Sequence, residues 1–240
     1  MISTPGSVLL VTPHQDDAEG GCGGTVAKWA RKGAKVVYVL CTNGDKGSSD
    51  PDMTSPKLAD IREREQKNAA DVLGVREVVF LRHPDGELEE GLEIRAQIVR
   101  EVRRHRPDVV MCVDPFRSTS HTHRDHRVSG LLALDAVFTY SWSPSHFPEQ
   151  IQDEGLRPHR VKEMYMWGSE RPDTYVDITD TVDMKAEALA KHVSQMKHPE
   201  KLLERVRSRS QRVGEMGQLP YAESFHRIVL NPRFLHWAEY

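Results

Sequence analysis

Two short clusters of His and Asp residues carry the side chains of this sequence that are best suited to metal-assisted chemistry. The first cluster, residues 13–17, reads Pro-His-Gln-Asp-Asp, and the second, residues 121–126, reads His-Thr-His-Arg-Asp-His. A catalytic zinc ion takes three protein ligands from His and carboxylate side chains and keeps a fourth position for water. The two clusters together therefore offer enough ligands of the right types for one catalytic zinc site.

Within the clusters, the residue types predict which side chains bind a zinc ion and which one acts as a base. Two imidazoles and one carboxylate, from His14, Asp17 and His126, supply the three ligands. A zinc ion lowers the pKa of its bound water to about 7, so hydroxide becomes available at neutral pH. Asp16 stands beside the ligands as a carboxylate that can accept the proton of this water, which is the role of a general base.

The second cluster adds two further candidate residues. His123 can stabilise a developing oxyanion or protonate a leaving nitrogen, and Asp125 can orient one of the imidazoles through a hydrogen bond. The alternative is that adjacent Asp residues after a strand only cap the next helix. Two separate clusters, each at the predicted end of a central strand, favour the metal site over that alternative. The same donor set also suits iron(II), so the metal is left open between the two ions.

Four apolar runs predict the elements that must hold these clusters. They are residues 7–11, 35–41, 77–81 and 108–113, whose continuous hydrophobicity is typical of strands buried on both faces of a parallel sheet. Helical patterns follow over residues 55–73 and 92–106, and another helix is predicted to begin near Arg124. This alternation predicts an α/β fold, a Rossmann-like doubly wound and mostly parallel sheet, in a single domain over residues 1–240.

The predicted topology brings the two clusters together. In the common strand order 3-2-1-4-5-6, strands 1 and 4 are neighbours at the reversal, and ligands bind beyond their carboxyl ends. The first cluster directly follows strand 1, and the second lies between strand 4 and the helix predicted to begin near Arg124. The second half of the chain is predicted to contain a loop over residues 141–158, strands at 161–167 and 175–178, and helices over 180–196 and 200–213. One of these two strands is a candidate for antiparallel pairing.

A glycine-rich segment, residues 20–24, raises the alternative of nucleotide binding. The dinucleotide motif needs a third Gly where this sequence has Val26, and the Lys of a phosphate-binding loop is missing. A nicotinamide-dependent oxidoreductase is therefore disfavoured. We attribute these glycines to close packing of the first helix against the sheet.

The amino-acid composition indicates which kinds of molecule this protein is expected to bind. The 38% hydrophobic and 29% charged residues are typical of a globular protein, and a net charge of −3 gives no electrostatic reason to expect nucleic acid or an anionic membrane. The sequence shows no basic-then-apolar leader and no apolar run long enough for a membrane helix. We therefore expect a cytoplasmic enzyme, a homo-oligomer acting on a small molecule, with no nucleic acid and no membrane span.

The motifs resemble those of the LmbE-like (PIG-L) deacetylase family. Residues 13–17 match its first motif, residues 21–25 match the Gly-Cys-Gly-Gly-Thr segment after it, and residues 123–126 match its His-x-Asp-His motif. The likeness continues, in the family's order, through shorter segments at residues 42–47, 62–65, 84–86, 176–180 and 192–195. One departure is Gln15, where the family usually has Pro, and it predicts a less rigid placement of the neighbouring ligand.

The resemblance implies a zinc-dependent hydrolase that removes the N-acetyl group from an N-acetylglucosamine-containing substrate. It implies the same zinc ligands, base and transition-state residue as named above. It adds Arg62 and Asp85 as residues that hold sugar hydroxyls, against the plainer interpretations of a helix-surface Arg and a turn Asp. The loop at residues 43–55 either closes over the sugar or is an ordinary surface loop.

Two other functions stay open at this stage. One is an amidase that removes a larger acyl group from an amino-sugar conjugate with the same zinc chemistry. The other is a sugar-binding protein that has lost catalysis, which the presence of all the reactive residues disfavours.

Overall fold

A seven-stranded sheet organises the protein, with strand order β3-β2-β1-β4-β5-β7-β6. The computed structural model describes residues 3–120 and 122–230, so His121 of the second cluster lies outside the described residues. The strands are β1 (Ser7–Thr12), β2 (Lys35–Thr42), β3 (Glu77–His83), β4 (Val109–Val113), β5 (Glu163–Trp167), β6 (Thr174–Asp177) and β7 (Ala222–Val229). The pairs β3-β2, β2-β1, β1-β4 and β4-β5 are parallel, whereas β7 is antiparallel to both β5 and β6.

Helices cover both faces of this sheet. They are α1 (Asp17–Arg31), α2 (Ser55–Leu73), α3 (Leu92–His105), α4 (Arg124–Asp135), α5 (Glu149–Gln152), α6 (Val182–Ala190) and α7 (Leu202–Gly217). One apolar core contains α1, α2, α6 and α7, and a second core, on the other face, contains α3 and α4. Among the described residues, no helix is both long and apolar enough to cross a membrane.

The central strand β1 shows why its sequence lacks polar alternation. Val8 and Leu10 belong to one core, whereas Leu9 and Val11 belong to the other, so both faces of the strand are buried. β1 pairs in parallel with β4, with Val11 opposite Cys112. The predicted α/β fold and the adjacency of the first and fourth strands are both confirmed.

Two features of the second half differ from the sequence-based expectation. The strand β7 was not predicted, because Ala222–Val229 mixes polar and apolar residues and is only partly buried. The helix expected over residues 180–196 ends at Ala190, and a 3₁₀ turn follows at Val193–Gln195. Both strands expected in this region, β5 and β6, pair antiparallel with β7, and β5 also pairs in parallel with β4.

A kink divides α1, and a side chain from β7 caps its second half. Cys22 leaves helical geometry with φ −145° and ψ 16°, which frees backbone N–H groups in the following turn. Gly24 and Thr25 donate these to the Glu223 carboxylate at 3.0 and 2.7 Å. Lys185 of α6 neutralises that buried carboxylate, with Nζ 2.6 Å from Oε1. An acidic side chain at a helix N-terminus satisfies both the free donors and the helix dipole.

The glycines of α1 allow the close packing expected from the sequence. A β-carbon at Gly21 would lie 2.2 Å from the Trp167 indole, and one at Gly24 would lie 2.8 Å from Ile178. At Gly23 the nearest atom is 3.5 Å away, which is an ordinary contact. The packing interpretation is therefore confirmed for Gly21 and Gly24.

This difference gives a matched pair of substitutions. We expect Gly24→Ala to lower the free energy of unfolding by about 1–3 kcal/mol, because the new methyl overpacks against fully buried Ile178. Gly23→Ala should leave it unchanged or raise it by up to about 1 kcal/mol, because Ala favours the helix and has room. Urea unfolding followed by circular dichroism measures both values. Equal effects of the two substitutions would contradict the packing argument.

Candidate metal centre and active site

The two His and Asp clusters meet at the carboxyl ends of β1 and β4. His14 follows β1, Asp17 begins α1, and His126 lies in the first turn of α4. One carboxylate oxygen of Asp17, Oδ2, lies 3.1 Å from Nδ1 of His14 and 3.1 Å from Nε2 of His126. The structure thus brings together the three side chains predicted to bind zinc, and their binding of zinc stays a prediction.

Two imidazoles and one carboxylate are the ligand types that a catalytic zinc ion binds. Metal–ligand bonds of 2.0–2.2 Å at tetrahedral angles place neighbouring ligand atoms about 3.3 Å apart, close to the two separations from Asp17. Two overlapping groups of potential ligands have ligand atoms within 4.8 Å of one another: His14, His123 and His126 form one, and His14, Asp85, His123 and Asp125 form the other. The carboxylate of Asp125 is already occupied by backbone N–H donors, so the Nδ1 side of His14 is the better metal position.

Asp125 is the residue that orients His14. Its carboxylate is fully buried and accepts hydrogen bonds from the backbone of Gly86 at 2.6 Å and of Leu88 at 3.2 Å. Nε2 of His14 lies 3.0 Å from the same carboxylate, which turns Nδ1 towards Asp17. A carboxylate that holds the far nitrogen of a ligand imidazole fixes both its tautomer and its angle. The sequence indicated this role for Asp125 without identifying which imidazole it orients.

The carboxylates around His14 create a strongly negative environment. Burial opposes a charged imidazolium, but hydrogen bonds with Asp125, Asp17 and Asp85 outweigh it and raise the pKa of His14 to about 11. Burial likewise opposes the charge on Asp17, yet hydrogen bonds with His126 and His14 hold its pKa far below the usual range. A divalent cation can take the place of the proton that these carboxylates attract.

Asp16 lies beside this centre in a strained conformation. Its φ of 86° is in the left-handed region, which Asp tolerates better than most residues. Burial, and then the neighbouring charge of Asp17, raise the pKa of Asp16 to about 7, against the opposing effect of Arg62. Its Oδ2 is 3.8 Å from a guanidinium nitrogen of Arg62. A carboxylate placed next to the metal position has the location that a general base needs.

His123 packs against both candidate imidazole ligands. Its ring centroid is 4.9 Å from that of His14 and 5.5 Å from that of His126. Nδ1 accepts a hydrogen bond from the backbone of Asp125 at 3.2 Å and so caps α4. Burial, followed by the charge of His14, lowers the pKa of His123. The neutral ring therefore carries its proton on Nε2.

Arg62 and Asp85 are both buried at this site, unlike a helix-surface Arg or an ordinary turn Asp. Arg62 donates to the carbonyl oxygens of Gly44 at 3.1 Å and Gln15 at 2.7 Å, so it joins the loops after β1 and β2. Oδ1 of Asp85 lies 3.2 Å from Nε2 of His14. Their contact with sugar hydroxyls stays a prediction. The side chain of Gln15 is fully buried, and its backbone is held by Arg62.

Comparison with known proteins agrees with this geometry. The model of the PIG-L family, described as GlcNAc-PI de-N-acetylase, matches residues 9–137. The diacetylchitobiose deacetylase of Thermococcus kodakarensis is 36% identical over 188 residues, which are 78% of this chain and 69% of that protein. This chain belongs to the PIG-L family.

Solved structures add the comparison of folds. The N,N'-diacetylchitobiose deacetylase of Pyrococcus horikoshii, in complex with its inhibitor, is 32% identical with a TM-score of 0.86, covering 95% of this chain and 87% of that one. The 4-carboxy-2-hydroxymuconate hydratase of Pseudomonas putida is 24% identical with a TM-score of 0.75, covering 94% and 97%. The second likeness shows the fold alone.

A cavity of about 410 Å³ opens from the metal position of this PIG-L protein. Asp16, Asp17 and His126 line it on one side, and other residues, which the sequence did not single out, complete it: Arg117, Trp167, Lys185 and Glu223. Nη2 of Arg117 lies 2.9 Å from Nδ1 of His126. The position of Arg117 in the loop after β4 was a usable signal, because that loop also carries the second cluster. Lys185 and Glu223 carried none, since each is an isolated charged residue in the sequence.

The orienting role of Asp125 predicts its effect on metal affinity. Asp125→Asn keeps one oxygen that can accept from Gly86 and His14, but it places an NH2 group opposite the Leu88 N–H and removes the negative charge on His14. We expect the dissociation constant for zinc to rise about 10–100-fold, as measured by calorimetric titration against a competing chelator. Asp135→Asn is the matched control, because Asp135 lies on the same helix and pairs with Arg95 at 2.9 Å, away from the site. An unchanged affinity in Asp125→Asn would refute the role.

Proposed function

We propose that this protein is a zinc-dependent hydrolase that removes the acetyl group from an N-acetylglucosamine-containing substrate, releasing acetate and a free amine. The observation that carries the proposal is the placement of the Asp17 carboxylate 3.1 Å from both His14 and His126, with Asp16 beside it. The deacetylases at 36% and 32% identity support the reaction type and the amino-sugar substrate. The zinc assignment is supported by the donor set of two imidazoles and one carboxylate.

Each residue of the site has a separate role in the hydrolysis of the amide. A zinc ion held by His14, Asp17 and His126 supplies a Lewis acid and a water of lowered pKa. Asp16 accepts the proton of the attacking water on its carboxylate. His123 donates its Nε2–H to the carbonyl oxygen as negative charge develops there. The proton held by Asp16 is then available to the leaving nitrogen as the amide bond breaks.

We assign the binding of sugar hydroxyls to Asp85 and Arg62. Asp85 contacts Nε2 of His14, a candidate metal ligand, and Arg62 holds the backbone of Gly44 at the start of the loop at residues 43–55. That loop follows β2 at the same edge of the sheet, which supports its closing over the sugar. We further propose that the chain is a single domain and that the protein is a cytoplasmic homo-oligomer. Light scattering after size-exclusion chromatography measures the number of subunits.

The decisive variant is Asp16→Asn. Asn also tolerates the left-handed conformation of this position, so the fold should be kept while the base is lost. We expect release of free amine from N-acetylglucosamine derivatives to fall about 10²–10⁴-fold, with the zinc content unchanged. Amine labelling measures the rate, and metal analysis of the purified variant provides the control. Wild-type rates in the zinc-loaded variant would rule out Asp16 as the base.

Metal removal and a change of acyl group separate the remaining functions. Dialysis against a chelator should abolish amine release, and adding zinc back should restore it. An amidase would release amine faster from N-butanoyl or larger N-acyl glucosamines than from the N-acetyl compound. A sugar-binding protein would release none from any of them, with or without zinc.

A further inference from the structure

A second groove continues from the metal cavity across the surface of α7. The groove has a volume of about 770 Å³ and shares Gly20, Lys185, Leu189, Arg209 and Ser210 with the cavity at the metal centre. A β-carbon at Gly20 would meet no atom within 4 Å, so the passage between the two is open at this point. A substrate whose acetamide lies at the metal centre therefore has room to extend along α7.

Four cationic residues form one rim of this groove. They are Lys201, Arg205, Arg209 and Arg212, all exposed and all lining the groove. Their spacing of four, four and three residues places them on one face of the helix over about 16 Å. We call them the α7 basic stripe. In the part of the chain that the structure describes, none of the four forms an ion pair.

Arg207, on the same helix, differs from the residues of the stripe because it forms an ion pair. It lies on a different face of α7 and makes two hydrogen bonds to the Asp183 carboxylate, at 2.9 and 2.8 Å. The stripe has no such partner, although Glu204 also lines the groove. A merely solvated charged face does not need a groove beside it, whereas the stripe borders one that leads to the metal centre.

The floor of the groove is apolar. Leu202 and Val206 are buried at its base, and Leu189 lines both the groove and the metal cavity. The cavity itself contains the carboxylates of Asp16, Asp17 and Glu223, although Lys185 neutralises the last. The stripe therefore presents exposed cationic side chains to an anionic group that lies in the groove.

We propose that the groove along α7 binds the portion of the substrate beyond the N-acetylglucosamine unit, and that this portion carries a carboxylate or a phosphate. The proposal rests on the proposed function for the position of the acetamide. Arginine suits both anions, because its planar guanidinium donates two parallel hydrogen bonds to either. The stripe makes Arg205 and Arg209 specificity-determining residues.

Kinetics on three substrates test the proposal. The zinc-loaded protein is given methyl N-acetylglucosaminide, which is neutral, its carboxymethyl counterpart, and N-acetylglucosamine 1-phosphate. We expect kcat/KM to be about tenfold higher for at least one anionic substrate, mainly through KM, and this preference should shrink as salt is added. The better of the two anionic substrates identifies the group as carboxylate or phosphate. The double substitution Arg205→Ala and Arg209→Ala should remove the preference.

Arg207→Ala is the matched control, because it removes an exposed arginine of the same helix that faces away from the groove. It should keep the preference for anionic substrates. Equal kcat/KM for neutral and anionic substrates in the wild type would overturn the proposal. An equal loss of preference in Arg207→Ala and in the double variant would overturn it as well, because it would show a general effect of charge.

A binding measurement separates this proposal from the proposed function. Calorimetry with the zinc-loaded Asp16→Asn protein compares N-acetylglucosamine 1-phosphate and the carboxymethyl glycoside with the neutral glycoside, without turnover. At least one anionic glycoside should bind about tenfold more tightly, and this difference should disappear when Arg205→Ala and Arg209→Ala are added. If no substrate releases amine but this difference is found, the deacetylase function fails and the anion site stands. If amine is released but the anionic and neutral glycosides bind equally tightly, the deacetylase function stands and the anion site fails.

Discussion

The buried carboxylate of Asp125 is the contact on which the site depends. It lies in the first turn of α4, yet it binds the imidazole of His14 after β1 and the backbone N–H groups of Gly86 and Leu88 after β3. Three loops from distant parts of the sequence are thus held by one side chain that water does not reach. Breaking such a buried interaction by removing one partner costs about 3–5 kcal/mol. The loops are therefore fixed relative to each other before any metal or substrate arrives.

Glu223 has a corresponding role on the other side of the metal position. The kink at Cys22 leaves donors in the middle of α1, and Glu223 accepts two of them while Lys185 balances its charge. The short segment of α1 before the kink carries Asp17 and follows Asp16. The direction of that segment consequently depends on a strand about 200 residues later in the chain. The last strand is thus part of the active site's support, although it contributes no candidate ligand.

Sequence was sufficient for the features that rest on burial and topology. The strands β1 to β4 are recognisable because both of their faces are covered, which leaves nearly continuous apolar runs. Their order then places the two His and Asp clusters at one edge of the sheet. The strand β7 escaped prediction because Ala222–Val229 lies near the end of the sheet, is partly exposed, and alternates irregularly. Its position could not be inferred from local pattern, since it is set by pairing with β5 and β6.

The site residues likewise fall into those that the sequence reveals and those that only the folded structure reveals. His14, Asp16, Asp17 and His126 lie within two dense clusters, so their chemistry is visible in the sequence. Arg62 and Asp85 are single residues whose importance came only from resemblance to a family. Glu223 acts through contacts formed by folding, and no spacing in the sequence reveals it, whereas the only sequence signal for Arg117 is its place in the loop that carries the second cluster. Residues that act alone from separate elements are the ones that need a structure.

The reaction must be argued from charge rather than from the fold, because a hydratase shares the fold at a TM-score of 0.75. Around the single imidazole of His14, the carboxylates of Asp17, Asp85 and Asp125 lie within 3.2 Å of a ring nitrogen. Such a concentration of negative charge is unfavourable in a buried site unless a cation compensates it. A divalent ion can do so and can also polarise an amide carbonyl as a Lewis acid. The metal position serves the acetamide, so selectivity for the rest of the substrate has to come from residues farther away, and α7 offers cationic ones.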